Sequence, residues 1–555
     1  MVQSRVGAAT MAVLLAVGLG AVGGCIVLGD FAPLASGPSL DASADAPNEG
    51  SALVCSPGER RSCYAGPPAA AGVGACARGS QACLPDRSGY GACEGSVLPR
   101  AEKCDTKDVD ESCDGEPACT GAPRLQLALG DGLDQHGAAI AVDDAGDVFV
   151  AGVFAGTLDT HGGPTVQAGG TGEVDGFVVK MSPDGRVKWA TRVVDAKLRA
   201  LAVSKGKLAV VGASRAPSAI EGCAPLPHAG ADGFDDVLVA TLDPDTGRCV
   251  AARAFGAAFT DVATAVAIDP TNGDVFVGGT IAGGSTVDFG GGLPPLVASP
   301  GRDGFGLRMD EALRPKALDH LKGGVVDVNA VTVDRLGRAY VGGGWNGSLQ
   351  VNGPTQTYTS SGQSGFVVSL PQSVQVFSGN RIAEVSALRT DASDRLVVGG
   401  FFTGELYGTS GAQPDFTSRG SEDGFVAWFF AGGAGALGIV QVGGAGHDRV
   451  TALAVDALSQ VVILGTTTGG VDLGGGPLGP GAGVFAGKLR FKEPLVWGRA
   501  FPGQAAVGGV ATDPLTGVWI TGAFAKEMDF GGAAPLKAAT LDPIATDVFV
   551  VQRAP

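Results

Sequence analysis

From Ala138 to Pro555 the chain repeats one pattern seven times. An apolar run ends in Asp, a turn follows, and a second apolar run ends in Gly. AIAVDDAGDVFVAG closing at Gly152 and AVAIDPTNGDVFVGG closing at Gly279 are clear copies. The others close at Gly212, Gly343, Gly400, Gly465 and Gly522. The Asp stands at Asp143, Asp269, Asp334, Asp391, Asp456 and Asp513, with Ser204 in the second copy. Successive spacings are 61, 65, 65, 57, 65 and 57 residues. A period of this length means that one supersecondary unit is reused, and that neighbouring units bury each other.

Each copy continues with a third run, such as DGFVVKM from Asp175 or DVFVVQR from Asp547, and then a fourth, such as RVKWATRVV after Gly185. These runs are short, rich in Val and Phe, and broken by Gly, which excludes helices. Several are apolar on both faces, as strands sandwiched between neighbouring sheets must be. Four strands per copy, stacked radially, predict an all-β fold: a seven-bladed β-propeller of four-stranded blades over residues 123–555. The seventh copy stops after its third strand, while Arg124–Gly130 (RLQLALG) is an orphan strand ahead of the first. Pairing the two closes the ring and removes an exposed edge. The 92 Gly and 32 Pro serve the many turns.

The marks A-V-D-x-x-G-x-V-x-V-x-G, T-x-D-F-G-G and D-x-F-V resemble the bacterial propeller-repeat family known as SBBP. The middle mark stands at Thr286–Gly291 and as Glu527-Met528-Asp529-Phe530-Gly531-Gly532. The resemblance implies a propeller of exported bacterial proteins, with no agreed chemical activity.

The N-terminus reads as an address. Arg5 precedes an apolar run, Met11–Gly24, too short to span a bilayer, as in a secretory signal over residues 1–24. Its end, Ala21-Val22-Gly23-Gly24-Cys25, resembles the lipobox of bacterial lipoproteins, which implies lipidation of Cys25 and a membrane anchor. Ile26 stands where Asp would imply inner-membrane retention, so the expected location is the cell envelope at the outer membrane. Residues 25–54, rich in Ser, Ala, Pro and Asp, read as a flexible tether.

Between residues 55 and 120 lie Cys55, Cys63, Cys76, Cys83, Cys93, Cys104, Cys113 and Cys119. An even number in a short exported segment predicts a small disulfide-rich module, and the pairing is open. Cys223 and Cys249, both in copy two, predict one further bridge. The segment Cys104–Gly115 resembles a C-D-G-x-D-x-D-C-D-G metal-binding motif of secreted bacterial proteins, with Thr106 in place of Gly and with Glu111 and Ser112 inserted before Cys113. Asp105, Asp108, Asp110, Glu111 and Asp114 offer hard oxygen ligands that suit calcium. The alternative is a solvated acidic loop.

A net charge of −17 with no basic patch argues against nucleic acid. The recurring Asp residues follow the repeat, so they read as turn formers rather than catalytic carboxylates. His136, His161, His228, His320 and His447 have no second His or Cys at ligand spacing, and His136, His161 and His447 read as loop residues. No phosphate-binding Gly-rich motif is present. The expectation is a non-catalytic binding or scaffold protein for a protein or glycan ligand, with function in variable loops such as Ser214–Asp235 and Gly404–Glu422. The alternative is a propeller hydrolase or lyase acting on extracellular polysaccharide, which requires carboxylates, Arg and His that break the repeat and gather on one rim.

Overall fold

The computed structural model describes residues 54–555 apart from 105–108, 116–118, 170–173, 231–232, 354–355, 371–372, 409–412, 434, 480, 492–494, 541 and 543. Copy one forms an antiparallel sheet of Gln135–Val142, Val148–Phe154, Asp175–Met181 and Val187–Val193, in that spatial order. Copies two and six form equivalent four-stranded sheets. Copies three to five are hydrogen-bonded into one continuous sheet. Pro315–Val333 is long enough to be the outer strand of one copy and the inner strand of the next. The inner strands pack side by side, and Ala505–Thr512 of the last copy packs beside Gln135–Val142 of the first.

Closure uses the orphan strand. Pro123–Leu129 pairs antiparallel with Asp547–Arg553, completing the sheet that begins with Ala505–Thr512. Third strands are buried along their whole length, as in Asp175–Met181, Asp236–Leu242 and Asp423–Phe429. The outer strand Val187–Val193 alternates buried with more open positions, as a half-covered strand does.

The repeat's glycine has a specific cause. Every inner strand carries a β-bulge against its partner, at the residue skipped between Gly137 and Ala139, Leu198 and Ala200, and the matching positions onward. The bulge drives the carbonyl two residues earlier against the second strand's glycine. A Cβ on Gly152 would fall 1.9 Å from the His136 oxygen, and one on Gly343 would fall 1.8 Å from that of Asp327. The Phe of the third strand faces the same glycine across the ladder, as Phe177 faces Gly152 and Phe485 faces Gly465. Each such ring is fully buried, a burial that contributes about 1.5–3 kcal/mol. In the T-x-D-F-G-G segments the Asp turns back on the chain, with Asp288 Oδ1 accepting the Gly290 N–H at 2.7 Å. The adjacent Phe289 then packs on Phe305, ring centroids 5.1 Å apart.

The disulfide-rich module pairs Cys55–Cys83, Cys63–Cys93, Cys76–Cys113 and Cys104–Cys119. Cys223–Cys249 fastens the long insert of copy two to that copy's outer strand. The module meets the underside of copy six, where Arg490 donates to the Lys103 carbonyl and Arg499 to that of Thr120.

Ring closure also places a buried acid. Asp547 is 2% exposed, and its Oδ2 accepts the Ala539 N–H at 2.6 Å while Oδ1 has no partner among the described residues. Burial, with the nearby Asp131 carboxylate adding to it, pushes its pKa up to about 6. The folded state thus holds this proton more tightly than the unfolded chain, whose Asp titrates near 3.9. Its contribution to stability is complete below pH ~4 and is lost as the pH rises to about 6. Asp547→Asn should therefore raise the melting temperature at pH 7, by the equivalent of about 1–2 kcal/mol, and change it little at pH 4. Thermal melts of both proteins at the two pH values check this, and equal melts at pH 7 would refute it.

Candidate functional site

The inner strands surround a central channel, and their bulge residues form a ring inside it. In most copies that residue is small: Ala138, Thr264, Asn329, Ser386, Thr451 and Gly508. In copy two it is Arg199. Two residues earlier, nearer the face that carries the long inserts, copies three and seven have Val262 and Ala506. The other copies have His136, Lys197, Asp327, Glu384 and Arg449. The polar departures from the repeat thus gather at one mouth of the channel.

Two adjoining cavities open there. One, of about 470 Å³, is lined by His136, Lys197, Arg199, Thr264 and Asn329 among others. The other, of about 360 Å³, has Arg199, Arg302, Asp327 and Asn329 in its wall. Lys197 and Arg199 of copy two make a basic arc, with His136 of copy one beside it, and copies four and five make an acidic one. The acidic arc is internally satisfied. Arg302 Nη2 lies 2.7 Å from Asp327 Oδ2. Glu384 accepts from Asn329 Nδ2 at 2.8 Å and from Gln363 Nε2 at 2.5 Å. Burial, and secondarily the Asp327 charge, raises the Glu384 pKa, with the amide donors and Arg449 opposing the shift. Arg449 is spent on a two-pronged pair with Glu422, at 2.6 and 2.7 Å. In the basic arc Lys197 lies 3.7 Å from Asp235. Arg199 has no carboxylate partner among the described residues.

His136 departs from the loop expectation. It lies in the inner strand Gln135–Val142, its Nε2 is buried without a partner among the described residues, and burial lowers its pKa. His161 and His447 are exposed near Asp159 and Glu422. His228 and His320 sit on the buried carboxylates Asp236 (3.0 Å) and Asp303 (2.7 Å). The repeated Asp residues are turn formers: Asp143 Oδ1 accepts the Ala145 N–H at 3.0 Å, and Asp456 Oδ1 that of Leu458 at 2.9 Å. Asp269, Asp334, Asp391 and Asp513 make the same bond.

Cys25, Asp105 and Asp108 lie outside the described residues. Of the other acidic-loop residues, Asp110 accepts the N–H groups of Cys113 at 2.6 Å and Gly115 at 2.9 Å. Glu111 lies 3.8 Å from both Arg100 and Lys103, and Asp114 pairs with Arg124. Among the described residues no group of three or more His, Cys, Asp or Glu is arranged to hold a metal ion.

No family model matches the chain, and no curated protein does. Solved structures similar to it include the extracellular domain of the hybrid two-component system BT4673 from B. thetaiotaomicron. That likeness has 12% identity and a TM-score of 0.33, and spans 72% of this chain but only 38% of that one. The Cps50 (Swd1) β-propeller domain of Myceliophteria thermophila has 12% identity and a TM-score of 0.39, over 77% of this chain and 99% of that one. A europium-containing methanol dehydrogenase has 10% identity and a TM-score of 0.32, over 86% and 87%. The strand pairing decides the fold without them. The domain is a β-propeller.

Proposed function

We propose that the chain is an exported, lipid-anchored binding protein of the cell envelope, whose propeller presents its channel mouth to an acidic group on a protein or glycan. We read the propeller as seven-bladed. The continuous sheet of copies three to five counts as three blades joined by the long strands Pro315–Val333 and Thr357–Ser369. The anchor rests on the lipobox resemblance at Cys25, and the propeller type on the SBBP-like marks.

The ligand chemistry rests on Arg199. In a chain of net charge −17, this is the bulge residue that breaks a ring of small side chains, and it has no carboxylate partner among the described residues. A guanidinium offers a planar fork of donors matched to carboxylate and sulfate groups. Lys197 stands on the same arc.

The test is calorimetric titration of the purified chain with oligogalacturonate and with a poly-glutamate peptide, against a neutral dextran oligomer. Binding of at least one acidic probe, and not of dextran, is expected. Arg199→Ala, which installs the residue of copy one, should weaken it roughly tenfold or more without lowering the melting temperature. Binding of neither acidic probe, or equal binding by the variant, overturns the proposal.

The hydrolase or lyase reading has one supporting observation: Glu384, with its raised pKa, stands beside Asp327 at the mouth. Both of its oxygens accept amide donors from Asn329 and Gln363, an arrangement that fixes a carboxylate rather than freeing it to transfer a proton.

A further inference from the structure

Deeper in the channel, three residues beyond the bulge ring, a second position breaks the repeat. Copies one, two, three, six and seven have Ala141, Ala202, Ala267, Ala454 and Ala511 there, and copy four has Thr332. Copy five has Arg389. Two lumen cavities, of about 150 and 290 Å³, have Arg389 in their walls, and every copy contributes residues to both. Neither cavity has a carboxylate in its lining. The guanidinium makes one protein contact among the described residues, Nη1 donating to the Leu388 carbonyl at 2.8 Å. Four of its five N–H groups are left without a protein acceptor. The side chain is exposed to the open channel, and with no carboxylate in the lining an anion within reach of those N–H groups would gain charge-assisted hydrogen bonds that nothing in the lumen now provides.

We propose that Arg389 holds a compact oxyanion, a carboxylate or an inorganic oxyanion, inside the propeller channel at a position distinct from the mouth. The 290 Å³ space around the guanidinium has room for sulfate with its waters, at about 30 Å³ per water. The remaining N–H groups of the guanidinium offer the paired donors that oxyanions take. The anion has two sources: free solute, or an acidic group of a ligand threaded in from the mouth.

The experiment follows melting temperature against millimolar sulfate at constant ionic strength balanced with chloride, so that general salt effects are held fixed. The wild-type chain should show a saturable rise, as ligand linkage requires. Arg389→Ala should lose most of that rise, and the rise that remains in Arg199→Ala should vanish when Arg389→Ala is added to it. Alanine is the native residue at the same position in five other copies, so the variant keeps the fold, and its own melt in chloride verifies this. Sulfate that weakens oligogalacturonate binding assigns the position to the ligand's acid group, and sulfate without effect on it assigns the position to free solute. A wild-type chain that fails to respond to sulfate, or an equal response in Arg389→Ala, overturns the proposal. Failure of the mouth reading would instead appear in the oligogalacturonate and poly-glutamate titrations, as no binding by the wild-type chain or equal binding by Arg199→Ala, whatever sulfate does to the melt.

Discussion

Lys488→Met should cost the propeller about 3–5 kcal/mol, the range for stranding one member of a buried ion pair. Lys488 and Asp456 both have fully buried side chains, with Nζ 2.9 Å from Oδ2. The ammonium also donates to the Thr516 carbonyl of the next copy at 3.2 Å. Burial pulls the Lys488 pKa down, and the Asp456 carboxylate is the main influence opposing it. Asp456 Oδ1 is committed to the turn N–H groups of Leu458 and Gln460, so the carboxylate cannot swing out to water when the lysine is lost. Related pairs occur in other copies, as Arg308 with Asp269 and Lys180 with Asp147, but these keep some access to solvent. Urea denaturation should show a lowered midpoint at pH 7. The double variant Lys488→Met with Asp456→Asn should recover most of the loss, because no charge is then stranded. A single variant as stable as the parent would refute the assignment.

Gly465→Ala should be nearly as damaging, at about 1–3 kcal/mol or more. The new Cβ would lie 2.1 Å from the Arg449 carbonyl and 2.4 Å from the Phe485 ring. The ring is held by the core and the carbonyl by the bulge, so the inner strand itself must move. That strand carries Arg449 at the channel mouth, and its two-pronged pair with Glu422 should loosen with it. Gly132→Ala is the matched control, since a Cβ there meets nothing within 4 Å, and its stability should stay within about 0.5 kcal/mol of the parent. Equal effects at the two glycines, read by thermal melts, would show that the bulge carbonyl does not dictate the repeat's glycine.

The strands, the Asp turns and the closing strand are legible because each leaves a periodic mark. Asp456 before its turn and RLQLALG without a partner are visible as letters. The mouth is less so. A bulge shifts the in-and-out alternation by one, and nothing in Leu198-Arg199-Ala200 says that Arg199 is the skipped residue. Read as a simple strand, Arg199 falls on a solvated face. Attention then goes to long inserts such as Ser214–Asp235, while the charged departures stand in inner strands. Stacking the copies column by column, with Arg199 beneath Ala138 and above Thr264, is the signal that finds both channel arginines. In sequence His136 reads as a loop residue for a related reason. The adjoining Gly137 suggests a turn, but in the structure it lies within the inner strand Gln135–Val142, next to the bulge.

The closing strand has a mechanical consequence. Thr120 and Gly121 lead from the disulfide-rich module straight into Pro123–Leu129, and Arg553 donates to the Gly121 carbonyl at 2.7 Å. Tension applied through the N-terminal segment therefore arrives along the axis of the strand that seals the circle. It loads the bonds to Asp547–Arg553 together, in shear, instead of unzipping them one after another. The seam of the molecule is also its strain-bearing joint, and a pull from that end must overcome the whole ladder before the ring can open.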